Sequence, residues 1–185
     1  MTPTITHIGD LVEGCRQGNQ QAQMEIYDRY YKAMYNTAYR ITGHSAEAED
    51  IMQEAFLRAF TRIDSFRETS TFGAWLKRIV VNESINASKK RKKLGEVNYN
   101  GGLENRPDQG INWGDKEQNN EKARLILDQI KLLKENYRLG LTLFLIEGYD
   151  YEEICEIMNI SYANCRTMIS RAKEALRKKL EYYGK

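Results

Sequence analysis

Apolar residues recur every three or four positions through most of this chain, and one glycine-rich stretch divides the pattern into two parts. This spacing places side chains on one face of an α-helix, and such helices bury that face against one another. Few alternating patterns typical of strands occur. The sequence therefore predicts an all-α protein of two small helical domains, and 185 residues are sufficient for two such cores.

The dividing stretch runs from Leu94 to Asn120 and contains Gly95, Gly101, Gly102, Pro107, Gly110 and Gly114. Glycine and proline disfavour helix interiors, so we predict a flexible linker. Its acids outnumber its bases, so we do not expect it to hold nucleic acid tightly. We place the first domain at residues 1–93, the linker at 94–122 and the second domain at 123–185.

Three helices are predicted in the first domain. One spans the apolar series from Ile26 to Ile41 and ends at Gly43. Ser45 is the candidate N-cap of the next, whose first turns carry acids as the helix dipole favours. A polar loop then leads to a third helix, which runs from about Phe72 into a basic segment.

The second domain has the pattern of a helix-turn-helix. Two helices are predicted between Leu125 and Ile146, with Gly148 ending the second. Asp150 and Glu153 have the spacing of a capping box for the next helix. A turn at Asn159–Ile160 and a cap at Ser161 follow. Helix, short turn and helix with a basic outer face is the arrangement that places a helix in the major groove.

The basic charge of the chain is concentrated in two segments, although the net charge is only +2. Lys77 to Lys93 contains seven lysines and arginines and the single acid Glu83, and Ser161 to Lys185 contains seven against two acids. One such segment alone would suggest a solvated helix face. Two of them, one per domain, favour binding to a polyanion.

Several classes of protein are disfavoured by the composition. No run of about 18 apolar residues occurs and the first ten residues lack the features of a signal peptide, so we expect a cytoplasmic protein. The three cysteines lack the spacing of a metal site, and only two histidines could join them as ligands. We therefore expect packed thiols and no bound metal. We find no phosphate-binding loop or carboxylate constellation, so we expect no enzyme, no cofactor and no small-molecule substrate.

Four segments, taken in order, resemble sigma-70-family factors of the small extracytoplasmic-function (ECF) type. Glu47 to Phe56 is similar to the family's DAED(L/I)xQExF segment, and Phe66 to Asn82 to FxxxxxFxAWLxxIxxN. Ile146 to Ile154 is similar to EGxSYxEIA, and Ser161 to Ala172 to SxxTVKSRLxRA. The last segment departs from the pattern at Asn164, Cys165 and Met168, where the family commonly has Thr, Val and Arg.

The resemblance implies a sigma region 2 bundle, a sigma region 4 helix-turn-helix, and a function in promoter-specific transcription initiation. Its partners would be the β′ and β subunits of core RNA polymerase, promoter DNA and an anti-sigma factor. The implied polymerase-binding residues are Glu49, Asp50, Gln53 and Glu54. The implied minus-ten residues are Phe66, Arg67, Ser70, Thr71, Lys77, Arg78, Asn82, Asn86, Lys89, Lys90 and Arg91. The implied minus-thirty-five residues are Tyr162, Asn164, Arg166, Thr167, Ser170, Arg171 and Lys173.

Two alternatives stay open. A one-component regulator would also carry a helix-turn-helix, but it would bind its operator alone, and the acids from Glu47 to Glu54 would repel DNA. Within the loop from Ser65 to Thr71, Phe66 is predicted to stack on a flipped base, which would recover roughly 1–3 kcal/mol of lost stacking. Alternatively, Phe66 and Phe72 close the bundle core.

Overall fold

The computed structural model describes residues 7–93 and 117–183, and within these ranges it contains helices and no strand. The chain divides into two compact units, Met1–Gly110 and Ile111–Lys185. The prediction of an all-α protein with two domains is confirmed. Residues 94–116, which include most of the predicted linker, lie outside the described residues.

The first unit contains four helices and one 3₁₀ turn. They are α1 (Ile8–Arg16), α2 (Gln20–Thr42), α3 (Ser45–Thr61), the turn Ile63–Ser65 and α4 (Phe72–Lys93). Helix α4 begins where the sequence predicts it. Helix α1 was not predicted, and α2 begins six residues before its apolar series because Asn19 caps it by accepting bonds from the amides of Gln21 and Ala22.

The prediction that Ser45 is the N-cap of α3 is wrong. Ser45 is the first residue of α3, and the N-cap position is occupied by His44, whose side chain makes no capping bond. Gly43, by contrast, ends α2 with φ of 75°, the left-handed conformation that glycine adopts without steric cost. Helix α3 therefore begins one residue earlier than predicted, two residues after the turn at Gly43.

Helix α2 packs against α3 and α4, and the apolar faces of these helices form the core of the first unit. Ile26, Leu76 and Val80 are fully buried in it. Two serines lie on the buried side of α4, and each donates its hydroxyl to the carbonyl four residues earlier: Ser84 to Val80 at 2.7 Å and Ser88 to Ser84 at 2.9 Å. These bonds satisfy the buried hydroxyls within the helix itself.

The second unit contains α5 (Glu117–Lys131), α6 (Glu135–Leu141), α7 (Tyr151–Met158) and α8 (Tyr162–Tyr183). A π-helical turn, Thr142–Ile146, extends α6 until Gly148 ends it with φ of 78°. Helix α5 begins at Glu117, inside the stretch that the sequence assigned to the linker. Helix α8 packs against α5, α6 and α7, so its inner side supplies much of this core.

Helices α7 and α8 form the predicted helix-turn-helix, and its local signals are confirmed. The Asp150 carboxylate accepts from the Glu153 amide at 2.8 Å, and the Glu153 carboxylate accepts from the Asp150 amide at 3.0 Å. Asn159 makes the turn in the left-handed conformation, with φ of 56°. Ser161 then caps α8 by accepting from the Asn164 amide at 3.3 Å.

Replacing Asp150 by alanine is expected to lower the stability of α7 by about 1 kcal/mol, because the carboxylate that accepts from the Glu153 amide is lost. Native-state hydrogen exchange of the α7 amides measures this change. Asp150→Asn is the matched control, since asparagine caps about as well as aspartate. An equal loss of protection in both variants would contradict the capping role.

Candidate nucleic-acid and protein interfaces

One face of α3 is acidic and open to solvent. Glu49, Asp50, Gln53 and Glu54 are all exposed, and their spacing of three and four residues aligns them along the helix. We call these four residues the acidic face of α3. Glu47 does not belong to it, because its carboxylate lies 2.5 Å from the guanidinium of Arg91 on α4.

An exposed leucine continues this face by one turn. Leu57 follows Gln53 by four residues and Glu54 by three, and it is 64% exposed. Leu57 is not among the residues predicted from the sequence, although its position outside the buried stripe of α3 is a signal that the sequence contains. An apolar side chain among acids on an open helix face is typical of a surface that binds another protein and is not expected on one that binds DNA.

The loop before α4 begins with a buried phenylalanine. Phe66 is only 5% exposed, and its ring centroid lies 5.5 Å from that of Phe72 and 5.3 Å from that of Trp75. This position corrects the expectation that Phe66 stacks on a base, because its ring is already packed in the domain core. The alternative, in which Phe66 and Phe72 close the bundle, describes the structure.

The rest of the loop is exposed and held at both ends. Arg16 of α1 donates to the Phe66 carbonyl at 3.1 Å, and the Thr71 hydroxyl accepts from the Ala74 amide at 3.2 Å, which caps α4. Arg67 and Ser70 lie between these anchors and are exposed to solvent. The loop therefore presents polar groups on a fixed frame. The Arg16 contact joins residues 50 positions apart, so no local pattern could predict it.

Helix α4 carries an exposed face with amide and ammonium donors. The members succeed one another at steps of one, three and four residues, and all are exposed: Asn82, Asn86, Lys89, Lys90 and Lys93. We call these residues the donor face of α4. The helix begins at the loop just described, and the donor face follows from Asn82 onward.

Three other predicted residues of α4 make contacts within the chain. Arg91 pairs with Glu47 and also donates to the Thr42 carbonyl at 3.4 Å, so it joins α4 to α2 and α3. Its contact with phosphate stays a prediction. Lys77 and Arg78 are half-buried, and each has an interaction partner within the chain.

Helix α8 presents the third surface. Its inner side is buried, and the opposite side exposes the residues that we call the outer face of α8: Tyr162, Asn164, Arg166, Thr167, Ser170 and Arg171. These side chains offer hydroxyl, amide and guanidinium groups, which contact phosphates and base edges in protein–DNA complexes. The Thr167 hydroxyl donates to the Ala163 carbonyl at 2.9 Å and is left with its acceptor capacity.

Lys173 lies at the border between the outer face of α8 and its buried side. It follows the buried residue Ile169 by four residues and the exposed residue Arg166 by seven. Its ammonium lies 4.2 Å from the ring centroid of Phe144, which is within the range of a cation–π interaction. Lys173 is half-buried, and its contact with DNA stays a prediction.

Comparisons with known proteins agree with this arrangement. The model of Sigma-70 region 2 matches residues 26–94, and that of Sigma-70 region 4 matches residues 123–176. The ECF RNA polymerase sigma factor SigW of Bacillus subtilis is 36% identical over 176 residues, which cover 91% of this chain and 94% of SigW. This chain belongs to the sigma-70 family.

Other relatives place it in the ECF group of that family. The ECF RNA polymerase sigma-E factor of Escherichia coli (strain K12) is 32% identical over 181 residues, which cover 92% of this chain and 93% of that factor. Two solved structures have the same fold. CnrH, in complex with the cytosolic domain of CnrY, has a TM-score of 0.55 and 21% identity, covering 93% of this chain and 96% of that one. The sigma factor RpoE of Bartonella quintana has a TM-score of 0.57 and 20% identity, covering 85% and 96%.

Both units of the sigma-70 fold thus carry one or more of the surfaces defined above. The acidic face of α3 and the donor face of α4 lie in region 2, and the outer face of α8 lies in region 4. The arginine that is common in region 4 is replaced here by Met168. A Cβ on Gly140 would lie 2.8 Å from the Met168 terminal methyl, so this side chain packs closely against α6.

Two of the three cysteines of this sigma-70 family member, Cys15 and Cys165, are buried. Burial raises the pKa of the Cys15 thiol. Burial and a hydrogen bond with Cys155 raise the pKa of Cys165 to about 11. Buried thiols of this kind stay protonated near neutral pH and are poor nucleophiles and ligands. Among the described residues, no group of three or more His, Cys, Asp and Glu side chains is placed to hold a metal ion.

None of the described helices combines the length and the apolar character that crossing a membrane requires.

Proposed function

We propose that this ECF sigma factor binds core RNA polymerase through the acidic face of α3 and directs it to promoters through α4 and α8. The observation that carries the proposal is the separation of charge on region 2. An acidic face with an exposed leucine suits a protein partner, whereas the donor face of α4 suits a phosphate backbone. One small domain thus has one surface for each partner.

This separation also argues against a one-component regulator. Such a protein needs a DNA-binding helix and a dimer interface, and it gains nothing from an acidic surface beside a second DNA-binding one. Both curated relatives named above are ECF sigma factors, and this chain matches them over more than nine-tenths of their length. The solved relatives are complexes with CnrY and with the anti-sigma factor NepR, which supports an anti-sigma partner for this chain.

The proposed mechanism uses binding energy and no bond chemistry of its own. The outer face of α8 contacts duplex DNA upstream, with guanidinium groups providing salt-dependent attraction to phosphate. Region 2 then holds the single strand that appears when the duplex opens. The loop supplies Arg67, Ser70 and Thr71, and the donor face of α4 follows the backbone. RNA synthesis is left to the polymerase, so the chain itself needs no catalytic residue.

Run-off transcription tests this function directly. Purified core polymerase is incubated with a library of promoter fragments, with and without this protein, and the RNA products are sequenced. We expect transcripts with defined start sites only when the protein is present. Sequence-specific binding of the protein alone, without any transcript, would favour the one-component regulator.

The loop from Arg67 to Ser70 is expected to set the preference for the minus-ten element. Exchanging these four residues for those of a related factor leaves Phe66 and the Thr71 cap in place, so folding and polymerase binding should persist. Transcription from a promoter library should then shift toward the donor's minus-ten sequences. A library profile identical to that of the wild type would remove the loop from base recognition.

A further inference from the structure

The basic segment of α4 contains one acid, and that acid forms an ion pair with an arginine of another helix. Glu83 is the only acid between Lys77 and Lys93. It precedes Asn86 by three residues and Lys90 by seven, so it lies on the same side of α4 as these two members of the donor face. Its carboxylate is hydrogen-bonded to the guanidinium of Arg58 on α3.

The pair is shielded from water but not closed off. The Glu83 side chain is 20% exposed and that of Arg58 is 40% exposed. A phosphate that follows the donor face of α4 would therefore meet either a neutral pair or, without Arg58, a bare carboxylate. Because the solvent screens charges in this position only in part, the difference is felt over several ångströms.

Arg58 also lies near the acidic face of α3. Its second terminal nitrogen lies 3.8 Å from the carboxylate of Glu54, which belongs to the acidic face of α3. This contact is longer and more exposed than the one with Glu83. A cation brought by a partner of the acidic face could take Glu54 from Arg58 and leave the pair with Glu83 intact.

We propose that Arg58 is a positioning residue for single-strand capture, which it assists by neutralising Glu83 beside the donor face of α4. The proposal rests on the function proposed above. Arg58 needs no contact with DNA in this role. It removes the repulsion between Glu83 and the strand, and it fixes the distance between α3 and α4. Its weaker contact with Glu54 leaves the acidic face available to the polymerase.

Three variants test this proposal: Arg58→Met, Glu83→Gln and the double variant. Each is assembled with core polymerase, and binding of a fluorescein-labelled single-stranded oligonucleotide of mixed sequence is measured from 0.05 to about 0.3 M salt, a range in which phosphate contacts dominate the affinity. The signal of core polymerase alone is subtracted. Met fills much of the volume of the arginine stem without its charge.

The expected changes follow from the charge beside the strand. One phosphate contact contributes about 0.7 to the salt slope for a single strand, or roughly fivefold in affinity at 0.1 M salt, and this is the upper bound for a charge that lies beside the strand. Arg58→Met should weaken binding by up to that factor and flatten the slope, because the surface gains one net negative charge. Glu83→Gln should tighten binding and steepen the slope by similar amounts. The double variant should return both values to those of the wild type.

A merely structural role predicts a different pattern. If Arg58 only holds α3 against α4, the double variant stays as weak as Arg58→Met, and this result would overturn the proposal. Unchanged binding by Glu83→Gln would overturn it as well, and this variant retains Arg58 in case Arg58→Met fails to fold. Wild-type protein that yields no transcript with core polymerase would instead reject the proposed function. Affinity for core polymerase should not fall in any of the three variants.

Discussion

Replacing Asp50, Gln53 and Glu54 together by alanine is expected to reduce the affinity for core RNA polymerase by a hundredfold or more. Truncating one member of a buried, hydrogen-bonded charge pair at an interface costs about 2–5 kcal/mol, and this triple variant removes two charges and one amide. The fold should persist, since exposed polar substitutions usually change stability by within about 0.5 kcal/mol. Titration of labelled protein with core polymerase measures the loss.

A matched control distinguishes an effect of this surface from an effect of net charge. The variant Asp10→Ala, Gln17→Ala and Asp64→Ala likewise removes two carboxylates and one amide from exposed positions elsewhere in the first unit. It should bind core polymerase as the wild type does. Equal weakening of both triple variants would assign the effect to net charge, and full affinity of the first variant would exclude the acidic face of α3 as the polymerase surface.

Local sequence signals predicted every described helix of this protein except α1, and several of the helix ends. Three of these signals depend only on residues a few positions apart: the capping box of Asp150 and Glu153, the cap at Ser161 and the turn at Gly43. Both partners of each interaction therefore lie within one short stretch of sequence. The exposed donors of α4 and α8 also follow from spacing, because a residue opposite a buried stripe must face solvent.

The features of the candidate site that the sequence did not predict are contacts between distant segments. Arg91 and Lys173 are basic residues on basic helices, and nothing local distinguishes them from their exposed neighbours. Arg91 pairs with an acid 44 residues earlier, and Lys173 covers the ring of Phe144. Phe66 stands in a polar loop, yet its ring reaches Phe72 and Trp75. Charge and hydropathy identify which residues can bind DNA, and packing decides which of them remain available.

Replacing Arg166 and Arg171 together by alanine is expected to weaken binding of the holoenzyme to upstream promoter DNA by about fiftyfold at 0.1 M salt. Each phosphate contact with duplex DNA contributes about 0.9 to the salt slope, which is roughly eightfold in affinity at that concentration. Both side chains are exposed on the outer face of α8, so their removal should not disturb the core of the second unit.

The two single variants distinguish how each arginine contributes. A phosphate contact weakens every promoter alike and reduces the salt slope by about 0.9, whereas a bidentate contact with guanine costs about 1–3 kcal/mol at one base position and relaxes the preference there. Arg177→Ala with Lys178→Ala is the control, because it removes the same charge from exposed positions nearer the end of α8. The outer face of α8 recognises the minus-thirty-five element only if the Arg166 and Arg171 variant loses much more affinity than this control. Equal binding by the two double variants would reject the assignment.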